Sequence, residues 1–249
     1  MDVLSIIQAR VKSTRLPNKV LLKIQDKTVL EHIYLRVKRS KVIESVIIAT
    51  SINKYDLPIV GVGVKNNVQV YCGSENDVLD RFYHASRLLN CKHIVRITGD
   101  CPLIDPDIID LVVSNHISQG ADYTSNVDPP TYPDGLDVEV ITFKALEHAF
   151  HNANLSSERE HVTPFIRKNN KEFKCVNVVN RIDLSDKRWT LDEKNDYVFV
   201  KSIYKNLYNR NKYFKMKDIL KFIKENPEIE KINENINRNE GYIKSIKND

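Results

Sequence analysis

Short apolar runs alternate with amphipathic segments along the first half of this chain, and that alternation constrains the fold more than any other feature. Val3–Gln8 (V-L-S-I-I-Q) reads as a buried strand. Val29, Leu30, Ile33, Tyr34 and Val37 recur at helical spacing, which predicts a helix over 28–39. Ser45–Thr50 is a second strand and Val68–Tyr71 a short third. Val78–Leu89 forms a helix with Leu79, Phe82, Tyr83 and Leu88 on one side, and His93–Thr98 is a fourth strand. Asp105 then caps a helix whose first turn holds Pro106. Strands separated by helices must cross over to pair in parallel, so they build a mostly parallel sheet covered on both faces. Ligands of such sheets gather at the carboxyl ends of the strands, where the strand order switches.

The second half is less regular. Ala121–Ser125, Asp137–Thr142 and Phe173–Val179 are further strands, and 143–152, 157–168 and 193–208 read as helices. The tail after Tyr213 is rich in Lys, Asn and Glu, with a helical pattern to about Glu225. No linker and no repeat interrupts the chain, which reads as one α/β domain with an antiparallel extension and a helical tail. An apolar share of 41% over 249 residues suits a buried core of that size. The net charge of +5 is mild, and its cations lack the interleaved aromatics of a nucleic-acid surface. No apolar run approaches the ~18 residues that span a bilayer, and no signal-like segment follows Met1. The four cysteines show no C-x-x-C spacing, which suits reduced thiols in a cytoplasmic protein.

Chemistry concentrates at the predicted strand ends. After the first strand comes I-I-Q-A-R-V-K-S-T-R-L-P-N-K, with Arg10, Lys12, Arg15 and Lys19 in one short loop. Arginine forks, a lysine point charge and the hydroxyls of Ser13 and Thr14 form a set that can embrace a polyphosphate. The G-x-x-x-x-G-K pattern of a Walker loop is absent. R-I-T-G-D-C-P-L-I-D-P places Asp100 just beyond the fourth strand, where a carboxylate facing a triphosphate suits Mg²⁺. An Asx-turn before Pro102 explains Asp100 equally well. In R-W-T-L-D-E, Asp192 precedes a helix and serves as its N-cap. Y-P-D-G-L-D-V-E-V turns at Asp134-Gly135 and puts Asp137 and Glu139 on one strand face, toward sugar hydroxyls or a polar edge. In S-S-E-R-E-H-V-T-P a capping box of Ser157 and Glu160 accounts for the glutamate, and His161 has no partner evident. In C-G-S-E-N-D-V-L-D-R, Asp77 caps the next helix, Ser74 with the local backbone suits a base or ribose, and both residues belong to the expected nucleotide-binding set.

Taken together, these motifs resemble the cytidylyltransferases of the spore-coat polysaccharide biosynthesis protein F type. Those are relatives of the enzymes that make CMP-linked acidic sugars. The likeness runs nearly the whole length, into N-P-E-I-E-K-I-N-E-N-I-N-R-N-E-G-Y-I-K-S. It implies a Rossmann-like nucleotidyltransferase fold in a homodimer, with residues 1–125 the nucleotide-binding half, 126–192 facing acceptor and dimer, and 193–249 forming helices and tail. It implies that CTP is the nucleotide and an acidic sugar the acceptor. Arg10, Arg15 and Lys19 match the triphosphate loop, with Gln8, Ala9 and Ser13 beside them; Asp100 and Asp192 match the Mg²⁺ carboxylates. Asp134, Asp137, Glu139, His161 and Arg188 are left to face the acceptor, and Arg167, Arg181 and Arg188 are the cations available for its carboxylate. The chain departs from its relatives at Lys12 and Asn18, where glycine is usual. Asparagine tolerates the left-handed backbone that glycine would adopt, whereas Lys12 is bulkier. The rival readings are a glycosyltransferase, whose kind commonly holds its metal on a D-x-D motif, although Asp105-Pro106-Asp107 here fits better as a helix start, and a nucleotide-binding relative without chemistry.

Overall fold

A computed structural model describes residues 2–234, together with 236, 238, 242, 245, 246 and 249. The remaining positions of the C-terminal motif, among them 239–241, lie outside the described residues. The first half follows the expected alternation, with β1 (Val3–Gln8), α1 (Val29–Val37), β4 (Ser45–Ser51), β5 (Gln69–Gly73), α3 (Val78–Leu89) and β6 (His93–Thr98), and adds two elements that the sequence did not signal, a hairpin of β2 (Lys23–Ile24) and β3 (Lys27–Thr28) and the helix α2 (Leu57–Asn66). The second half adds α4 (Pro106–Gln119), β7 (Tyr123–Ser125), β8 (Glu139–Thr142), α5 (Phe143–Asn152), α6 (Ser156–His161), α7 (Pro164–Lys168), β9 (Cys175–Asn177), α8 (Lys194–Leu207), α9 (Met216–Glu225) and α10 (Pro227–Glu230).

The main sheet runs β5-β4-β1-β6-β8-β7-β9. β1 pairs in parallel with β4 and β6, and β8 lies antiparallel to both β6 and β7. The strand order therefore reverses around β1, and Gln8 sits opposite both Ala49 and Thr98. That register carries the loops after β1 and β6 to the same sheet edge.

Side chains along β1 alternate between two cores. Val3 and Ile7 face the helices α1, α4, α8 and α9, whereas Leu4 and Ile6 face α3 and α5. A strand buried on both faces must be apolar at nearly every position, as this one is. Capping fixes the helix starts. Thr28 and Glu31 exchange bonds of 3.2 and 2.7 Å, and Asp105 accepts from the Asp107 N–H at 2.9 Å. Each such cap is worth about 1 kcal/mol.

Several expectations are corrected. The helix expected over 157–168 is two, because Pro164 has no N–H to continue the ladder and Val162 turns to φ 70°. The Ser157–Glu160 capping box is not formed. Glu158 instead accepts from the Leu155 N–H at 3.3 Å, while the Ser157 hydroxyl donates to Asp249 at 2.5 Å. Asp192 is not a helix cap, since α8 begins after Glu193. Among the described residues no helix is long and apolar enough to cross a membrane.

Candidate active site

At the carboxyl ends of β1 and β6 the chain leaves a cavity of about 1020 Å³. The loop after β1 forms one wall. Leu16 and Val20 anchor it in the core, and its backbone is tied by Val11 N–H to Asp56 at 2.7 Å and by Asn18 N–H to the Val11 carbonyl at 3.1 Å. Asn18 stands at φ 58°, ψ 20°, a left-handed conformation that asparagine takes more readily than other side-chain-bearing residues. Lys12 lies at the rim, its side chain 72% exposed and its ammonium 3.6 Å from Glu75. It therefore leaves the backbone path intact.

Gly99 lets the β6 end approach β1, for a Cβ there would stand 2.9 Å from the Gln8 carbonyl oxygen. Asp100 follows at once. Its backbone carbonyl accepts from the Leu191 N–H at 2.8 Å, which draws Asp192 to the same place across the sequence. Lys19 Nζ then reaches Asp100 Oδ2 at 2.9 Å and Asp192 Oδ1 at 2.6 Å. Arg15 Nη2 holds Asp192 Oδ2 at 2.7 Å, and Thr98 Oγ1 donates to Asp100 Oδ1 at 2.5 Å. Burial opposes ionisation of Asp100, but the Lys19 charge and the Thr98 bond outweigh it and bring its pKa down to about 2. Burial likewise works against the Lys19 charge, and the two carboxylates overcome it and raise its pKa.

The 188–193 segment is braced from behind. Arg188 forks onto Asp196 with two 2.9 Å bonds and meets Asp134 at 3.2 Å. Asp196, fully buried, accepts from the N–H groups of Asp192 and Glu193, each at 2.9 Å. Gly135, at φ 101°, lies flat against this segment, since a Cβ would stand 2.5 Å from the Thr190 nitrogen. Arg188 is thus a brace behind the cavity and does not line it; Arg181 is exposed and outside it.

Asp134, Asp137 and Glu139 also line the cavity, as do His161 and Glu160. Glu139 is fully engaged, by Arg96, by the Tyr123 hydroxyl at 2.6 Å and by Thr163 at 2.7 Å. Arg238 reaches back from the tail to Asp137 at 2.7 Å. Burial raises Asp137 to about 7 and Asp134 to about 6; neighbouring carboxylates add to both shifts and Arg238 counters them. His161 donates to or accepts from Ser245 at 3.0 Å, and burial with the nearby Arg96 lowers it to about 4, so the ring is neutral at pH 7. Arg167 also lines the cavity, stacked over Tyr242 at 5.5 Å, and its Nε has no partner among the described residues.

Gln8, Ala9, Arg10, Ser13, Arg15, Lys19, Asp100 and Asp192 all line this one cavity. Ser74 and Asp77 do not. Ser74 accepts from the Asp77 N–H at 3.1 Å, and Asp77 caps α3 and pairs with Arg159 at 2.5 Å. Their neighbours Glu75, Asn76 and Arg81 line the wall instead. Sequence reasoning passed over Arg81 and Arg96. A charge inside the apolar strand His93–Thr98 was the available signal for Arg96. Asp105 and Asp107 lie elsewhere, one capping α4 and the other paired with Lys215 at 2.6 Å, so no D-x-D faces the cavity.

The donor set suits a divalent cation. Two carboxylate oxygens already converge on one cationic atom, the Lys19 ammonium. Mg²⁺ commonly takes one or two protein carboxylates and completes its shell with phosphate oxygens and water. Among the described residues no group of three or more His, Cys, Asp or Glu converges to hold a metal alone, which fits a cation shared with a ligand.

An α/β sheet with a cationic loop and paired carboxylates at its switch point defines a nucleotidyltransferase. The chain belongs to the cytidylyltransferase family, whose match covers residues 4–238, and is a CTP-dependent enzyme of that class. A solved cytidylyltransferase from Leptospira borgpetersenii superposes with a TM-score of 0.89 at 37% identity, over 96% of this chain and 100% of that one. An uncharacterized protein of Methanocaldococcus jannaschii is 40% identical over 95% of this chain and 96% of its own. The spore coat polysaccharide biosynthesis protein SpsF of Bacillus subtilis is 33% identical over 84% of this chain and 89% of its own.

Proposed function

We propose that this enzyme transfers the cytidylyl group of CTP to a hydroxyl of an acidic sugar, giving a CMP-sugar and pyrophosphate for surface glycan synthesis. The observation that carries the reading is the meeting of Arg15 and Lys19 with Asp100 and Asp192 in a cavity that Arg167 also lines. Arg10, Ser13, Arg15 and Lys19 bind the phosphates. Asp100 and Asp192 would hold Mg²⁺, which would supply charge neutralisation at the phosphoryl oxygens. The acceptor hydroxyl attacks the α-phosphorus in line, and Arg15 and Lys19 neutralise the departing pyrophosphate. Asp137, raised to about 7, is poised to take the hydroxyl proton near neutral pH. Arg167 takes the acceptor carboxylate as a planar fork, while Asp134 and His161 face the sugar hydroxyls. Residues 1–125 supply the nucleotide end and 126–192 the acceptor end. Exposed Val179 and Ile182 in the latter support its use as a homodimer surface.

The test is pyrophosphate release from CTP and Mg²⁺ over a panel of sugar acids and their neutral counterparts. Release with acids alone is expected. Release with neutral sugars only contradicts the acidic acceptor, and no release with any sugar contradicts the transfer.

A further inference from the structure

Lys19 occupies the position that a divalent cation needs. Its ammonium lies 2.9 Å from Asp100 Oδ2 and 2.6 Å from Asp192 Oδ1, with its side chain only 14% exposed. Mg²⁺ sits about 2.0–2.1 Å from such oxygens, so a cation bridging this pair and the ammonium would compete for the same point between them. We propose that Lys19 acts as an internal lock on the cation site, and that a nucleotide triphosphate opens it by drawing the ammonium onto its phosphates. The inference rests on the reading of Asp100 and Asp192 as the cation-holding pair.

The rest of the loop supports this division. Arg15 bonds Asp192 through Oδ2, the oxygen Lys19 does not use. When Lys19 leaves, Asp192 Oδ1 and Asp100 Oδ2 become available together. Lys19 sits in the same loop as Arg10, Ser13 and Arg15, which line the same cavity. Its charge-assisted bonds are given up readily only for another anion at hand. A triphosphate supplies that anion and places its own oxygens where the cation then needs them. Cation and nucleotide therefore bind with positive coupling, and the coupling is reciprocal. The expected factor is on the order of tenfold or more, within the usual range for coupled sites. One consequence is that the free enzyme does not hold a stray divalent cation between the two aspartates.

The test counts Mn²⁺ bound to the nucleotide-free protein by electron paramagnetic resonance, in wild type, Lys19→Met and Lys19→Gln. Each lysine variant is also made with Asp192→Asn, and glutamine serves if the methionine variant does not fold. The expected result is weak Mn²⁺ binding by wild type and binding about tenfold tighter or more once the ammonium is gone. The added Asp192→Asn should abolish the gain. In a parallel titration with CTP in EDTA, Lys19→Met should lose about tenfold or more in affinity. A lysine that only braces the fold would shift the melting temperature without creating a Mn²⁺ site. Wild type binding one Mn²⁺ through Asp192 as tightly as the lysine variants overturns the lock and leaves the carboxylate pair standing. Absence of Mn²⁺ from every nucleotide-free protein overturns the lock; Mn²⁺ bound by wild type once CTP is added, and lost with Asp192→Asn, then leaves the carboxylate pair standing, and its absence there too removes the pair.

Discussion

Replacing Asp100 by alanine separates chemistry from folding in this site. The carboxylate accepts from Thr98 at 2.5 Å and pairs with Lys19 at 2.9 Å, so it does local structural work as well. The truncation still leaves Lys19 paired with Asp192 at 2.6 Å, and the backbone carbonyl of residue 100 still bonds Leu191 at 2.8 Å. No buried charge is stranded, and the stability loss should be about 1–2 kcal/mol, the scale of one or two polar bonds. The catalytic loss is larger, because one of two carboxylates that fix charge at the reacting phosphate is gone. A loss of about 3–4 kcal/mol in transition-state stabilisation corresponds to about 100- to 1000-fold in kcat/KM. Pyrophosphate release measured with the acid that the panel identifies gives the rate, and a thermal melt gives the fold. Asp100→Asn, which keeps the shape and loses the charge, should fall almost as far. A variant that melts lower but keeps its rate within threefold would refute the assignment, since Asp100 would then be a brace like Arg188.

Arg167→Met should raise the KM for the acidic acceptor by about tenfold or more while leaving the KM for CTP nearly unchanged, as expected for a lost charge-assisted fork worth about 1.5–3 kcal/mol. Initial rates varied in each substrate separately check this, and an equal effect on both KM values would contradict it. For Asp137, the proton acceptor must be ionised, so kcat/KM should rise with pH through about 7. Asp137→Asn should lower the rate and remove that rise, and a pH–rate profile on both proteins decides it.

β1 and β6 were legible because each is a mostly apolar central strand bounded by turn residues; the short hairpin of β2 and β3, with only Ile24 buried, was not. Asn18 was legible too, since few side chains other than asparagine hold a left-handed turn readily, and it stands at φ 58°. What escaped was tertiary. Arg188 read as an acceptor cation, because nothing local shows that Asp196 on the next helix and Asp134 would capture it. Asp77 read as part of the nucleotide site, but it does not line the cavity, and its partner Arg159 lies far along the chain. Glu139 read as an open carboxylate, and its three partners come from β6, β7 and the segment before α7. The shift of Asp137 toward neutral pH depends on burial beside other carboxylates, which spacing alone does not show.

The central claim, attack of a sugar-acid hydroxyl at the α-phosphorus of CTP, is tested most directly by following phosphorus label. CTP carrying ³²P at either the α- or the γ-position is turned over with the accepted acid. The account predicts that α-label appears in the sugar product and γ-label in pyrophosphate, in equal amounts. Transfer of γ-label to the sugar, or a sugar product that carries no label from α-labelled CTP, would contradict it.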